Sequence, residues 1–280
     1  MSTTTTPDVS LYLIVSNGQR FAKHYYVIFF YLCSMNKDRF ISFLWQHFLL
    51  VVSLYIMTLG VSVCVRSALG SSVISTIPYV MEQAGGVNDV VPSWSIGGYT
   101  IVMNFIFVLL QMLILRRDFQ PVQLFQLVIG AFFGFLIDLN MFLTSWLVPD
   151  DFWTKTVAQI AGCTILGCGI AFEVRCGSVT MPGEGLPIAI SRVTGGEFPK
   201  VKILVDVTLV GIAVSLSFYF FGSWQWHITG VGTLFAMVYV GVVVRTVGKH
   251  IGWFDGLLHF RPGFRRYVYG LAKYIKNLYD

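Results

Sequence analysis

Apolar residues fall along this chain in runs of helix length, at about 43–65, 96–115, 122–147, 156–174, 201–221 and 228–247, separated by short stretches rich in Gly, Pro and charge. At about 1.5 Å of rise per residue, roughly 20 apolar residues cross the hydrocarbon core of a bilayer. The pattern therefore predicts an all-α, polytopic membrane helix bundle of six spanning helices. Between the first two runs lies SSVISTIPYVMEQ, residues 71–83, which reads as a shorter helix broken by a proline.

The positions of the charges decide whether that segment is a seventh span. Lys and Arg concentrate in the cytoplasmic loops of membrane proteins. With six spans, one side receives Lys37, Arg39, Arg116, Arg117, Arg192, Lys200, Lys202, Arg245 and Lys249, while the other receives Arg66 and Lys155 beside Glu82, Asp89, Asp150 and Asp151. Both termini are then expected in the cytoplasm. A crossing through 71–83 would reverse this bias for the first half, so we expect a short helix at, or partly within, the outer leaflet. Broken backbone at that depth needs protein or water to satisfy it, so the segment is expected to line a cavity.

Composition agrees. Of 280 residues, 55% are hydrophobic and 12% charged, against about a quarter charged in soluble domains, and the mean hydropathy is +0.71. The net charge of +5 does not point to nucleic acid, because little soluble chain is left to carry a basic face. The expected partner is the lipid bilayer. Cys33, Cys64, Cys163, Cys168 and Cys176 form no CxxC pair and no zinc-ligand spacing, so no metal site and no cofactor is expected.

Two end segments stand apart. Residues 1–41 form an N-terminal extension whose apolar stretch at 25–32 is too short to span, and no small-residue cleavage site follows it. Two starts stay open for the natural chain, the first methionine and Met35. Residues 251–280 carry Arg261, Arg265, Arg266, Lys273 and Lys276 among aromatic and aliphatic positions, which predicts a basic amphipathic tail on the anionic cytoplasmic leaflet.

The halves resemble one another. GVSVCVRSALGSSVISTIP, residues 60–78, lies without a gap on GIAFEVRCGSVTMPGEGLP, residues 169–187, pairing Gly60 with Gly169, Arg66 with Arg175 and Pro78 with Pro187 at a constant offset of 109. Further along, Asn104 aligns with Asp206, Gly134 with Gly241 and Asp138 with Arg245. Three spans per unit is an odd number, so the units 42–148 and 149–250 are expected as a 3+3 inverted repeat, with a short broken or re-entrant helix in each half. The motifs GVSVCVRSALGSS and PGEGLPIAISRVTG, each followed by a polar-centred and then a Gly-rich helix, resemble the YczE/YitT-like family of bacterial membrane proteins over about residues 42–250. The resemblance implies the bacterial cytoplasmic (inner) membrane and a family largely without a defined activity. Second repeats of that family tend to carry an Arg-Asp pair and a Glu where this chain has Gly183, Glu184 and Asp206, so a basic partner is missing from the pattern.

Charged groups within a bilayer cost several kcal/mol unless paired or wet, which makes Arg66, Asp138, Glu173, Arg175, Glu184 and Asp206 the candidate solute-binding residues. Two readings stand for them: a solute pathway, or acids and arginines that pair across the halves and lock the bundle. Ser71 and Ser72 join the candidates because the Gly/Ser turns open the short helices, where free N–H groups and the helix dipole favour an anion. Those small residues equally suit close helix packing. Glu184 could itself be the anion at the second helix start. Asn104, two turns from Gln111 on one face, is the last candidate and is expected to hydrogen-bond across the bundle. His47 and His227 read as interface anchors.

No GxSxG, HExxH or His/Asp cluster appears, so no catalytic residue is assigned and an enzyme is not expected. The sequence thus favours a membrane transporter or permease for a small polar or anionic solute. The alternative is a non-transporting scaffold or partner of a larger complex. The solute, any coupling ion and the oligomeric state are open.

Overall fold

A computed structural model describes residues 37–176 and 180–251. The expected N-terminal extension up to residue 36, the alternative start at Met35 and the basic tail from 252 onwards lie outside the described residues. The chain forms α1 (Lys37–Arg66), α2 (Val73–Gly85), α3 (Ile96–Leu115), α4 (Phe125–Leu143), α5 (Phe152–Cys176), α6 (Pro182–Thr194), α7 (Phe198–Phe221) and α8 (Val231–His250), with two 3-10 turns between α3 and α4. No strand occurs among the described residues. Six of the helices, all but α2 and α6, are long and apolar enough to cross a membrane, as the hydrophobic runs predict.

Local chemistry ends the helices where the polar stretches fall. The Ser95 hydroxyl accepts the Gly98 N–H at 3.1 Å and caps α3. Gly195 and Gly222 close α6 and α7 in the left-handed conformation. The two short helices are alike: each has 13 residues and an internal proline, Pro78 in α2 and Pro187 in α6.

Helices α1 and α5 form the centre and run antiparallel. Ser53 on α1 lies beside Cys176, Cys64 lies 3.7 Å from Cys163 between sulfurs, and the Ser67 hydroxyl donates to Gln159. Glycine makes this approach possible, because a Cβ on Gly60 would come within 3 Å of the Leu166 backbone, and one on Gly169 within 3 Å of the Met57 backbone. In lipid no hydrophobic force pulls helices together, and small residues that let backbones pack closely supply much of the attraction. Hydroxyls buried at the crossing bond back to their own helix, Ser53 to the Leu49 carbonyl, Thr58 to Leu54 and Ser62 to Thr58.

Contacts in the two halves match in pairs. At the offset of 109, Met57 corresponds to Leu166 and Gly60 to Gly169, and Gly60 meets Leu166 while Gly169 meets Met57. Arg66 donates to the Met141 carbonyl at 2.8 Å, and Arg175, its counterpart, donates to the Gly248 carbonyl. Met141 and Gly248 are themselves counterparts at the spacing that pairs Gly134 with Gly241. Likewise α1 packs on α4 and α5 on α8, and α2 packs on α7 and α6 on α3.

One seam breaks the match. Helices α3 and α4 meet closely at Gly97 and Gly134, each facing the other's carbonyl, whereas a Cβ on Gly241 would have nothing within 4 Å. Helices α7 and α8 accordingly do not pack along one another. They leave Val207, Tyr219, Val238 and Val242 exposed, an apolar surface suited to lipid.

The crossing predicts a graded response to added volume. Gly60→Val and Gly169→Val should each destabilise the folded protein by about 1–3 kcal/mol or more through overpacking, read by detergent-denaturation titration. Gly241→Ala should stay within about 0.5 kcal/mol of the parent, as expected at sites away from packing.

Candidate functional site

Polar and charged side chains gather at the two short helices. At the α6 side, Lys202 on α7 stands between two carboxylates, 3.3 Å from Glu184 Oε1 on α6 and 3.0 Å from Asp206 Oδ1 one turn along its own helix. All three side chains are largely withdrawn from solvent. Glu173, near the end of α5, is 4% exposed. Its Oε1 accepts the Met181 N–H at 2.9 Å, and its Oε2 is buried without a hydrogen-bond partner among the described residues. Glu184 is an electrostatic neighbour of Glu173. Gly185 keeps the approach open, since a Cβ there would lie 2.7 Å from the Gln111 amide oxygen and 3.0 Å from the Gln126 amide nitrogen. Both glutamines are buried, and Gln111 donates to the Pro182 carbonyl at 3.3 Å.

At the α2 side, a cavity of about 430 Å³ is lined by Arg66, Tyr79, Glu82, Gln83, Met141 and Lys155, among others. The Arg66 Nε is buried with no hydrogen-bond partner among the described residues. Burial is the main cause that raises the Glu82 carboxyl above its ordinary pKa, while the Gln83 amide and the Arg66 charge act in the opposite sense. His227, in the α7–α8 loop, packs edge-on against Tyr79 with ring centroids 5.9 Å apart, and burial lowers its pKa.

The other candidates hold structure together. Asp138 lies in the last third of α4, and its carboxylate accepts the Ser95 hydroxyl at 2.6 Å and the Gly97 N–H at 2.9 Å at the start of α3. A carboxylate there complements the helix dipole. Ser71 donates its N–H to the Ile228 carbonyl at 2.8 Å, and the Ser72 and Ser75 hydroxyls are 2.7 Å apart. The Ser71 bond, with the Gly232 N–H donating to the Leu69 carbonyl, stitches the α1–α2 turn, where Gly70 takes φ +138°, to the start of α8. Asn104 donates across the bundle to the Gly130 carbonyl at 3.3 Å, as expected, and its Oδ1 is buried without a partner.

Arg66, Asp138, Arg175 and Asp206 thus do not converge on one cavity. The antiparallel α1–α5 crossing puts Arg66 and Arg175 at opposite ends of the bundle, each bonded to a backbone carbonyl. Two acids stand at the second helix start: Glu173 accepts the Met181 N–H, and Glu184, in the first turn, pairs with Lys202. Lys202 is the residue that the sequence reading placed among loop charges. The available signal was its spacing of four from Asp206 within an apolar run, one turn on a helix face.

Six long apolar helices, two short proline-bearing ones and a polar cluster beside each short helix define a multi-pass helical membrane protein. The model of the family of unknown function DUF6198 matches residues 44–249, and the chain belongs to that family. No curated protein and no solved structure matches the chain. The family shown is DUF6198, and nothing in the match joins it to YczE/YitT-like proteins in particular.

Removing the lysine from the α6 cluster would leave two carboxylates uncompensated. Lys202→Met should therefore cost about 3–5 kcal/mol of stability, whereas Lys202→Met combined with Glu184→Gln and Asp206→Asn should recover most of that loss. Thermal unfolding of the purified variants in one detergent checks both outcomes.

Proposed function

We propose that this protein is a membrane transporter for a small polar solute, built as a 3+3 inverted repeat with a polar station beside each short helix. The observation that carries the reading is Glu173, a carboxylate inside the bundle with one oxygen buried and unpartnered, next to the Glu184, Lys202 and Asp206 cluster. Ionisable groups at membrane depth are expensive and commonly mark solute or proton paths. What supports the inversion is the antiparallel α1–α5 pair together with the matched Arg66–Met141 and Arg175–Gly248 bonds. Substrate sites in such folds lie where broken helices of the two repeats approach the interior.

In this reading the membrane is the bacterial cytoplasmic one, as the YczE/YitT-like resemblance implies. The Lys and Arg bias puts both termini in the cytoplasm and α2 on the outer side. Engineered cysteines report this directly: Val87→Cys, exposed beyond α2, should react with an impermeant maleimide in intact cells, and Glu197→Cys, exposed after α6, only after permeabilisation.

Transport itself is tested in proteoliposomes loaded against a panel of labelled small polar solutes. At least one solute should accumulate above protein-free vesicles, and Glu173→Gln, with fold retained, should lower its rate about tenfold or more. A panel that stays at the protein-free level throughout removes the transport reading. A second reading, a non-transporting scaffold, is favoured by Arg66, Arg175 and Asp138, which all bond to backbone at helix ends. Co-purifying subunits that are lost on removal of residues 252–280 would support it.

A further inference from the structure

We propose that the cavity beside α2 binds a zwitterion, a small molecule carrying one carboxylate and one ammonium group. This names the solute class for the transport reading above and rests on it for the molecule's passage, though not for its binding.

Charges of both signs face this one cavity. Arg66 and Lys155 supply the positive side, and Glu82 the negative. Ion pairs within 4.0 Å join none of these three to another, although all are described and half-buried. A cavity that exists to pack would bring such groups together, because opposite charges that are partly desolvated attract strongly. Held apart, they match a ligand with two charged ends. Arg66 uses one guanidinium nitrogen to hold the Met141 carbonyl and lines the cavity, and guanidinium binds carboxylates by charge-assisted hydrogen bonds. Asp138, whose oxygens are held by the Ser95 hydroxyl and the Gly97 N–H, adds a second negative charge close enough to act on Glu82. Glu82 has the Gln83 amide and the Ile96 N–H near it and feels the Arg66 charge, but among the described residues no cation stands within ion-pair distance of it, which leaves room for an ammonium. Val65, Met141 and Leu147 add apolar surface to the lining. The volume of about 430 Å³ falls in the range of small-molecule sites.

The test is calorimetric titration of the purified full-length protein with matched probes: γ-aminobutyrate as the zwitterion, butyrate and butylamine as its single-charge halves, and glycine and 6-aminohexanoate to vary the charge separation. At least one zwitterion should bind ten times or more tighter than both butyrate and butylamine. Glu82→Gln should reduce that zwitterion to the affinity of butyrate while leaving butyrate itself unchanged, and Lys155→Gln should weaken the zwitterion and butyrate together but not butylamine. Both variants spare the Arg66–Met141 bond, and an unaltered melting temperature confirms their fold. Butyrate or butylamine binding as well as every zwitterion overturns the proposal, as does the absence of binding by any probe at 10 mM on the scale of a weak pocket. Binding without uptake in proteoliposomes would uphold this site and remove the transport reading; uptake insensitive to Glu82→Gln would do the reverse.

Discussion

Everything else in this bundle depends on how closely α1 and α5 approach. Their backbones meet at Gly60, Gly162 and Gly169, where any side chain would intrude on the other helix. Because lipid and leucine are equally apolar, such close packing and the hydrogen bonds it brings within reach must supply the adhesion. The antiparallel crossing then dictates where every polar group goes. The end of α1 with Arg66 comes beside Gln159, and the end of α5 with Arg175 comes beside Ser53. Two arginines of matched sequence are thereby carried to opposite ends of the molecule, each bonding to a carbonyl of α4 or α8 near its terminus.

On that matched frame the charge is uneven. At the spacings that align the halves, Glu184, Lys202 and Asp206 correspond to Ser75, Thr100 and Asn104, which are uncharged and fully buried. The first half satisfies these positions with hydroxyls bonded to neighbouring backbone, as Ser75 and Thr100 do. The second half places an ion cluster there instead. Buried ion pairs seldom add stability over apolar packing of the same volume, so their presence on one side only is better accounted for by function than by folding. The packing is uneven too, since Gly134 is closed against α3 while Gly241 faces open space.

The helix ends absorb several charges that sequence alone would assign to a pathway. Asp138, an acid within an apolar run, serves the start of α3, because the partner that needs it, the Gly97 N–H, becomes adjacent only when α3 and α4 pack. Lys202 shows the opposite case. By sequence position it falls among the loop cations. Folding α6 back against α7 brings Glu184 to Lys202, so the lysine pairs with an acid of the neighbouring helix. The Asp138–Gly97 and Glu184–Lys202 contacts are not local in sequence, so neither periodicity nor motif could show them, whereas the Lys202–Asp206 pair, one helical turn apart, was legible.

Hydropathy by itself determined the six long helices, because span length and burial in lipid are properties of each segment alone; the two short helices needed the charge bias and the repeat as well. The repeated Gly, Arg and Pro positions likewise announced which contacts would be matched. Which charges face a cavity, which cap a helix and which pair with one another was decided by tertiary structure. Those outcomes depend on distances of about 3 Å between residues far apart in the chain, and only the close antiparallel crossing of α1 and α5 brings such residues together.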